Sequence, residues 1–222
     1  VENPDPLGFM AALRFNHLHP PFDDPRARRA LLPAIRQSDF MAAVAGTYPA
    51  MSRSGVGFFP PGAPMASDAG LHALTGPRDE AAAQRALAGS GRVAVIGPTD
   101  YPNVQALTEV AADRLRRLAV PVDYVPTDWA TVVQRRTNKA PPAHGGWSVL
   151  CTFFSGLDFL HPGVHLLLRA NGEAAWPGWP TSAPLEQLRA QWLDAPDLAS
   201  QQAIARQIQE RAFEDLPYVP LG

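Results

Sequence analysis

The sequence predicts an α/β fold, and the stretch from Arg92 to Trp129 is the strongest basis for that prediction. Residues 93–96 are apolar and are followed by Gly97-Pro98, a pattern typical of a buried strand. Apolar residues then recur every three or four positions, which predicts a helix with one buried face over 103–118. They are Val104, Leu107, Ala111, Leu115 and Leu118. A second apolar run at 120–125 completes a strand, helix and strand within roughly 35 residues, as in a right-handed parallel crossover.

Before this unit, the sequence predicts a strand and a helix. Leu13 and Phe15 alternate with polar residues over Ala11–His17, which predicts a strand. Asp24 is expected to cap the next helix, with Pro25 in its first position, where a missing N–H is tolerated. The central helix is expected to be capped by Asp100 or Asn103.

After the unit, a third strand is predicted at Trp147–Phe154, in the same sheet as the first two. Two closing helices follow at Leu185–Trp192 and Asp197–Phe213, and Pro217–Leu221 is expected to be extended. No internal repeat or linker divides the chain, so a single domain over residues 1–222 is predicted.

Composition restricts the possible functions. The 222 residues, 46% of them apolar, can bury one generous core or two small ones. A net charge of −2 argues against a nucleic-acid partner, and the basic cluster Arg26, Arg28 and Arg29 is expected to be a solvated helix face. No apolar run reaches the ~18 residues of a membrane span. Cys151 is the only cysteine, so no internal disulfide can form.

No set of residues predicts catalysis, and we expect neither an enzyme nor a cofactor. Ser155 lacks the flanking glycines of a nucleophile elbow. His161 and His165 are four residues apart with Asp158 nearby, but Pro162 interrupts the helix on which they would form a metal site. The alternative that remains open is a hydrolase that uses Ser155 or a metal held by His161 and His165.

Several short motifs follow one another along the chain in a recognisable order. They are Pro21–Leu31 (PFDDPRARRAL), Ala82–Gly89, Leu115–Val122 followed by Asp128-Trp129, and Pro217–Leu221 (PYVPL). In order and spacing they resemble the extracellular solute-binding proteins of the peptide and nickel class (family 5), which deliver ligands to ABC importers. The resemblance covers nearly the whole chain, from about Leu13 to Leu221.

The resemblance implies a lobe of a type II periplasmic-binding-protein-like fold, with a mixed sheet around a parallel βαβ core. Two such lobes close over a ligand, and this chain would be the second lobe without the first, which also fits the abrupt start at Val1–Pro4. Because the chain of such a protein passes between the lobes twice, the resemblance also implies that the first strand and the last extended segment lead to the same edge of the domain. It further implies a periplasmic protein, or an extracellular lipoprotein, that passes a small solute to the membrane subunits of an ABC permease. Short peptides, a metal chelate, an opine and other small metabolites all remain possible solutes.

The resemblance also implies where the solute binds. Ligands of open α/β sheets meet the loops at the carboxyl ends of strands, here the loop after Phe154. Asp158 matches an acidic residue of the family that can pair with a ligand's amino group. Ser155 or Phe154 stands where the family has tryptophan, and His161 replaces an aspartate before proline, which leaves the identity of the solute open. Local amides could instead satisfy Asp158.

A second loop is expected to line the same cleft. Trp176 and Trp179 correspond to a family loop that offers aromatic contacts to a ligand, although one or both could be buried against the closing helices. Arg169 could face a ligand carboxylate or form a surface salt bridge.

Overall fold

The computed structural model describes residues 7–46 and 48–222, so Val1–Pro4 and Thr47 lie outside the described residues. Within these ranges, five strands form one sheet flanked by α-helices. The strands are β1 (Phe9–Phe15), β2 (Val93–Pro98), β3 (Val122–Thr127), β4 (Val149–Ser155) and β5 (Tyr218–Pro220). The helices are α1 (Pro25–Ala30), α2 (Gln37–Ala45), α3 (His72–Thr75), α4 (Glu80–Leu87), α5 (Pro102–Arg117), α6 (Trp129–Arg135), α7 (Ala183–Leu193) and α8 (Leu198–Asp215).

The sheet is mixed, with the strand order β3-β2-β4-β1-β5, and the predicted parallel unit forms one side of it. β2 pairs in parallel with β3, so that Val93 lies opposite Val122 and Val95 opposite Tyr124. β2 also pairs in parallel with β4, and α5 packs across both strands. β1 runs antiparallel to β4 and β5. The prediction that the three central strands share one sheet, with the first two parallel, is confirmed.

The helix caps agree with the sequence prediction at one end of the chain and differ in the middle. Asp24 caps α1 by accepting a hydrogen bond from the Arg26 amide at 2.8 Å. Neither residue predicted to cap α5 does so, because that helix begins after Tyr101 without a side-chain cap. The Asp100 carboxylate instead accepts a hydrogen bond from the Trp129 amide at 2.7 Å. It therefore links the end of β2 to the start of α6.

The predicted first strand is confirmed, with different bounds. β1 begins two residues earlier than predicted, at Phe9, and both of its faces are covered. Arg14 is fully buried, and its guanidinium donates hydrogen bonds to backbone carbonyls in the irregular segment 160–182 and beside β5. Because this irregular segment covers the second face of the sheet, the polar residues of the alternation are buried as well.

The basic cluster on α1 is a solvated face only in part. Arg26 and Arg29 are exposed, as expected. Arg28 is buried and donates hydrogen bonds to the carbonyl oxygens of Phe22 at 2.6 Å and Asp215 at 2.7 Å. It joins the start of α1 to the end of α8, so the prediction for Arg28 is wrong.

The apolar core has a large part and a small part. The larger core includes residues on both faces of β1, among them Leu13 on the α5 side and Met10 on the other, and it extends to α7 and α8. The smaller core lies under α6, on the face opposite α5. It consists of Ile96, Val132, Trp147, Leu150 and Trp179. In the part of the chain that the structure describes, no helix is both long and apolar enough to cross a bilayer.

Several strands begin or end at one edge of the sheet. The parallel strands β2, β3, β4 and β5 all end there, and β1 begins there, with Phe9 opposite Ser155. The Ala11 amide donates to the Gly222 carbonyl at 2.8 Å, so the start of β1 and the end of β5 lie side by side. The prediction that these two segments lead to the same edge is confirmed.

Candidate functional site

The candidate site is the edge just described, which we term the carboxyl edge. It consists of residues 7–9, 99–101, 127–129, 155–158 and Gly222. Large apolar side chains are exposed on it, with Phe9 68% and Leu157 61% accessible to solvent. Apolar groups in water at the ends of parallel strands are typical of a surface that a ligand or another protein segment covers.

Asp158 lies on the carboxyl edge in a form that suits binding. β4 ends at Ser155, and the next residues form a 3-10 turn, Gly156–Phe159, which the Ser155 hydroxyl caps by accepting a hydrogen bond from the Leu157 amide at 3.3 Å. Phe159 anchors the turn by stacking on His165 at 4.0 Å. Asp158 is exposed, and its carboxylate has no hydrogen bond or ion pair with any described residue. Its charge is thus not used by the local amides.

Aromatic contacts join the loop that carries Trp176 and Trp179 to the end of β4. The Phe154 ring stacks on Phe159 at 5.5 Å and forms a T-shaped contact with Trp176 at 5.8 Å. Trp176 is half-buried and lies within reach of solvent. Trp179 is only 6% exposed and packs on Trp147 at 6.2 Å, in the smaller core. The structure therefore joins Trp176, but not Trp179, to the end of β4.

Arg169 lies beside α7. It is half-buried, and its Nε is shielded from solvent without a hydrogen-bond partner among the described residues. Burial, together with the nearby Arg169 charge, lowers the pKa of Arg189 despite the opposing effect of Glu186. No described carboxylate forms a salt bridge with Arg169, so the surface ion pair considered from the sequence does not form.

An open pocket of about 600 Å³ also lies at the carboxyl edge. Its lining includes Phe9, Arg53, Tyr101, Asn103 and Phe153. None of the site residues predicted from the sequence lines it, because Phe153 and Phe154 point to opposite faces of the sheet. Tyr101 and Asn103 could have been found from the sequence, since they directly follow the carboxyl end of β2.

The residues of the hydrolase alternative do not form a catalytic arrangement. No described histidine is hydrogen-bonded to Ser155, whose hydroxyl caps the next turn. His165 is fully buried, with its Nε2 2.9 Å from the Phe58 carbonyl oxygen. His161 stacks on Trp192 at 4.9 Å, and its Nδ1 accepts a hydrogen bond from the Gly163 amide. These contacts hold the two imidazoles in separate packing roles, so they do not support a shared metal site.

Replacing His165 with glutamine is expected to make the fold less sensitive to acid. Burial lowers the pKa of His165 from 6.5 to about 3, so the folded state keeps it neutral while the unfolded state binds a proton below 6.5. The stability that the neutral His165 contributes is complete above pH 6.5. It is lost as the pH falls from 6.5 towards 3, by up to ~1.4 kcal/mol per pH unit. Urea unfolding at pH 7 and at about pH 4.5 should show a loss about 2 kcal/mol larger in the wild type than in His165→Gln. Equal losses would contradict this account.

Comparison with known proteins finds a relative among the binding proteins of ABC transporters. No protein-family model matches the chain. It is 30% identical over 219 residues, 97% of this chain, to Sinorhizobium fredii y4tO, which is named as a peptide ABC transporter periplasmic-binding protein. The chain spans 41% of the length of that relative.

Solved structures of similar proteins share the fold. A substrate-binding protein of an ABC transporter, CtaP from Listeria monocytogenes, matches 97% of this chain with a TM-score of 0.81 and 16% identity. A dipeptide-binding protein from Pseudoalteromonas sp. SM9913, solved with Met-Leu, matches 97% with a TM-score of 0.70 and 23% identity. The chain spans 43% of each of these proteins. The predicted fold class, a mixed α/β sheet with a parallel βαβ core as in periplasmic-binding proteins, is confirmed.

Proposed function

We propose that this chain is one lobe of the solute-binding component of an ABC importer. The complete protein captures a peptide or similar small solute in the periplasm, in a cleft between two lobes, and delivers it to the membrane permease. The observation that carries this proposal is the 30% identity to a peptide ABC transporter periplasmic-binding protein over 97% of the chain. Residues 1–222 form a single lobe in this proposal, and the remainder of the protein supplies the other wall of the cleft.

The geometry of the carboxyl edge supports this role. The start of β1 and the end of β5 lie side by side there, which suits a lobe joined to its partner by two neighbouring strands. The loops at the ends of β2 and β4 are at the same edge, so the joining strands and the ligand-facing loops are close together. A hinge at this position lets the two lobes close over a solute.

Within the cleft, the proposed contacts combine charge with apolar surface. Asp158 binds an amino group of the solute, since its exposed carboxylate has no partner among the described residues. Phe154 and Trp176 form an aromatic surface beside it, and Ser155 offers backbone groups at the end of β4. Arg169 is a further candidate, whereas Trp179 supports the loop from within the smaller core. Such a site requires no nucleophile, so we propose a binding role rather than an enzymatic one.

Replacing Asp158 with asparagine in the full-length protein is expected to weaken solute binding about tenfold or more. The amide keeps the size of the side chain but removes the negative charge that strengthens a hydrogen bond to an ammonium group. Calorimetry with the solute that copurifies with the full-length protein, identified by mass spectrometry, measures the change. The matched control is Asp123→Asn, which removes an exposed carboxylate on the edge strand β3. Equal affinities of the wild type and Asp158→Asn would remove Asp158 from the site.

A further inference from the structure

Arg136 carries a positive charge that no described residue neutralises. It follows α6 and is half-buried, with its guanidinium carbon 5.0 Å from the centre of the Trp176 ring. Its Nε is shielded from solvent and has no hydrogen-bond partner, and no described carboxylate forms an ion pair with it. Its other guanidinium nitrogens form no hydrogen bond with described residues either, so the whole donor set of this side chain is free.

A second arginine lies against the same ring but has no free donors. The Arg14 guanidinium is 5.6 Å from the centre of the Trp176 ring, and four backbone carbonyls accept its hydrogen bonds. No described carboxylate pairs with Arg14, so two cations lie beside one indole without a counter-charge. Of the two, only Arg136 can accept a new partner.

A half-buried guanidinium without a partner is unfavourable, because it has lost part of its hydration and gained no hydrogen bond in return. Burial accordingly lowers the pKa of Arg136. Stacking on an aromatic ring offsets part of this loss, but it leaves the N–H donors unused. Unsatisfied polar groups are rare in native proteins, and a missing ligand is one of the few explanations for them.

The position of Arg136 connects it to the candidate site. Trp176 contacts Arg136 with its face and forms a T-shaped contact with Phe154, so the three side chains form one continuous surface. Phe154 directly precedes Ser155, and the turn that carries Asp158 follows. Arg136 therefore lies at one end of this surface, and at the other end Phe154 leads in sequence to the unpaired carboxylate of Asp158.

We propose that Arg136 binds a carboxylate of the transported solute, next to the face of Trp176. This inference rests on the proposed function and narrows it to solutes with both an amino group, for Asp158, and at least one carboxylate. The planar fork of a guanidinium matches a carboxylate with two parallel hydrogen bonds, which lysine or glutamine cannot reproduce. Arg169, which also lacks a partner, lies beside Arg189 rather than against Trp176.

Four dipeptides that differ only in their carboxylates test this inference on the full-length protein. Ala-Glu has a side-chain and a terminal carboxylate, Ala-Gln only the terminal one, Ala-Glu-amide only the side-chain one, and Ala-Gln-amide has none. Calorimetry should find Ala-Gln-amide the weakest of the four, by about tenfold or more relative to the tightest. Binding of the tightest peptide should also weaken as the salt concentration rises.

Variants show which side chain causes the preference for peptides with a carboxylate. Arg136→Gln should lower the affinity for the tightest peptide by about tenfold or more and leave that for Ala-Gln-amide nearly unchanged. Its melting temperature without ligand should be unchanged or higher, because a guanidinium without a partner contributes little to folding. Arg136→Lys should recover only part of the affinity. The matched control is Arg116→Gln, which removes an exposed arginine on the opposite face of the sheet.

The outcomes separate this inference from the proposed function. If a peptide binds but Ala-Gln-amide binds as tightly as the others, the inference is wrong and the proposed function stands. The inference is also wrong if Arg169→Gln abolishes the preference while Arg136→Gln does not, or if Arg136→Gln mainly lowers the melting temperature. If none of the four peptides binds and no small solute copurifies, the proposed function itself fails.

Discussion

Replacing Arg14 with methionine is expected to lower the free energy of unfolding by about 4 kcal/mol or more. The Arg14 side chain is fully buried. Its guanidinium donates hydrogen bonds to the carbonyl oxygens of Trp176 at 2.8 Å and of Leu167, Pro177 and Pro217 at 2.9 Å each. These bonds tie β1 to the loop that carries Trp176 and to the start of β5.

Two opposing effects determine the size of this loss. Methionine is unbranched and apolar, so the substitution removes the unfavourable burial of a charge, which lowers the pKa of Arg14 to about 9. It also removes a donor from four backbone carbonyls, and those of Leu167 and Pro177 accept no other hydrogen bond among the described residues. Each unsatisfied group costs about 1–3 kcal/mol. Because these carbonyls belong to the backbone and stay in place, the cost of their lost hydrogen bonds outweighs the gain from removing a buried charge.

Urea unfolding of the wild type and Arg14→Met measures this difference directly. The matched control is Arg116→Met at an exposed position of α5, where a change within about 0.5 kcal/mol is expected. Arg14→Lys should be intermediate, because an ammonium group retains the charge and can donate only three hydrogen bonds. A loss below about 1 kcal/mol for Arg14→Met would contradict this role of Arg14 and indicate that the segment 160–182 packs without its hydrogen bonds.

The sequence was sufficient to predict the centre of the fold because that centre depends on local patterns. The apolar run at 93–96 and the three-to-four-residue spacing over 103–118 define β2 and α5, whose packing buries only their own apolar faces. Asp24 was predictable as a cap for the same reason, since capping requires only neighbouring residues.

The features that the sequence did not predict depend on distant segments. Alternation over β1 predicts a strand but does not show that Arg14 is buried, because the segment 160–182, which is distant in sequence, covers that face. Arg28 is buried for a similar reason, by contact with the end of α8. Arg136 is a basic residue at a helix end, where arginine is ordinarily solvated, and nothing near it in sequence indicates that Trp176 will cover it.

The candidate site was predictable in part. The resemblance pointed to Asp158 and Trp176. In the structure, Asp158 lies in the turn after β4, and Trp176 contacts Phe154. It did not separate Trp176 from Trp179, because the two rings differ only in which core residues they meet. The pocket lined by Phe9 and Tyr101 was not predicted, since it forms where the start of β1 meets the start of α5.

The isolated chain is expected to bind the solute at least about a thousandfold more weakly than the full-length protein. A solute with a dissociation constant of about 1 μM binds with about −8 kcal/mol, after an immobilisation cost of at least about 4 kcal/mol. The gross interaction is then about −12 kcal/mol, of which one lobe alone retains roughly half. Since the immobilisation cost is nearly unchanged, about −2 kcal/mol remains, which corresponds to a dissociation constant well above 1 mM.

Water weakens the remaining contacts further, because the part of the cleft on this lobe is open to solvent when the other lobe is absent. A closed pocket buries about 70–90% of a ligand, whereas the carboxyl edge alone is open to water. An ion pair such as that proposed for Asp158 contributes only about 0–1 kcal/mol when it is exposed to solvent. The expected loss therefore exceeds what the missing contacts alone would produce.

Calorimetry of the isolated chain and the full-length protein, each titrated with the same copurified solute, tests the central claim that this chain is one wall of a two-lobed cleft. Circular dichroism and a cooperative thermal transition first establish that the isolated chain is folded. We predict a saturable heat of binding for the full-length protein and no binding by the folded chain up to about 1 mM solute. Dissociation constants within about tenfold of each other would mean that this chain holds a complete binding site, and would contradict the two-lobed account.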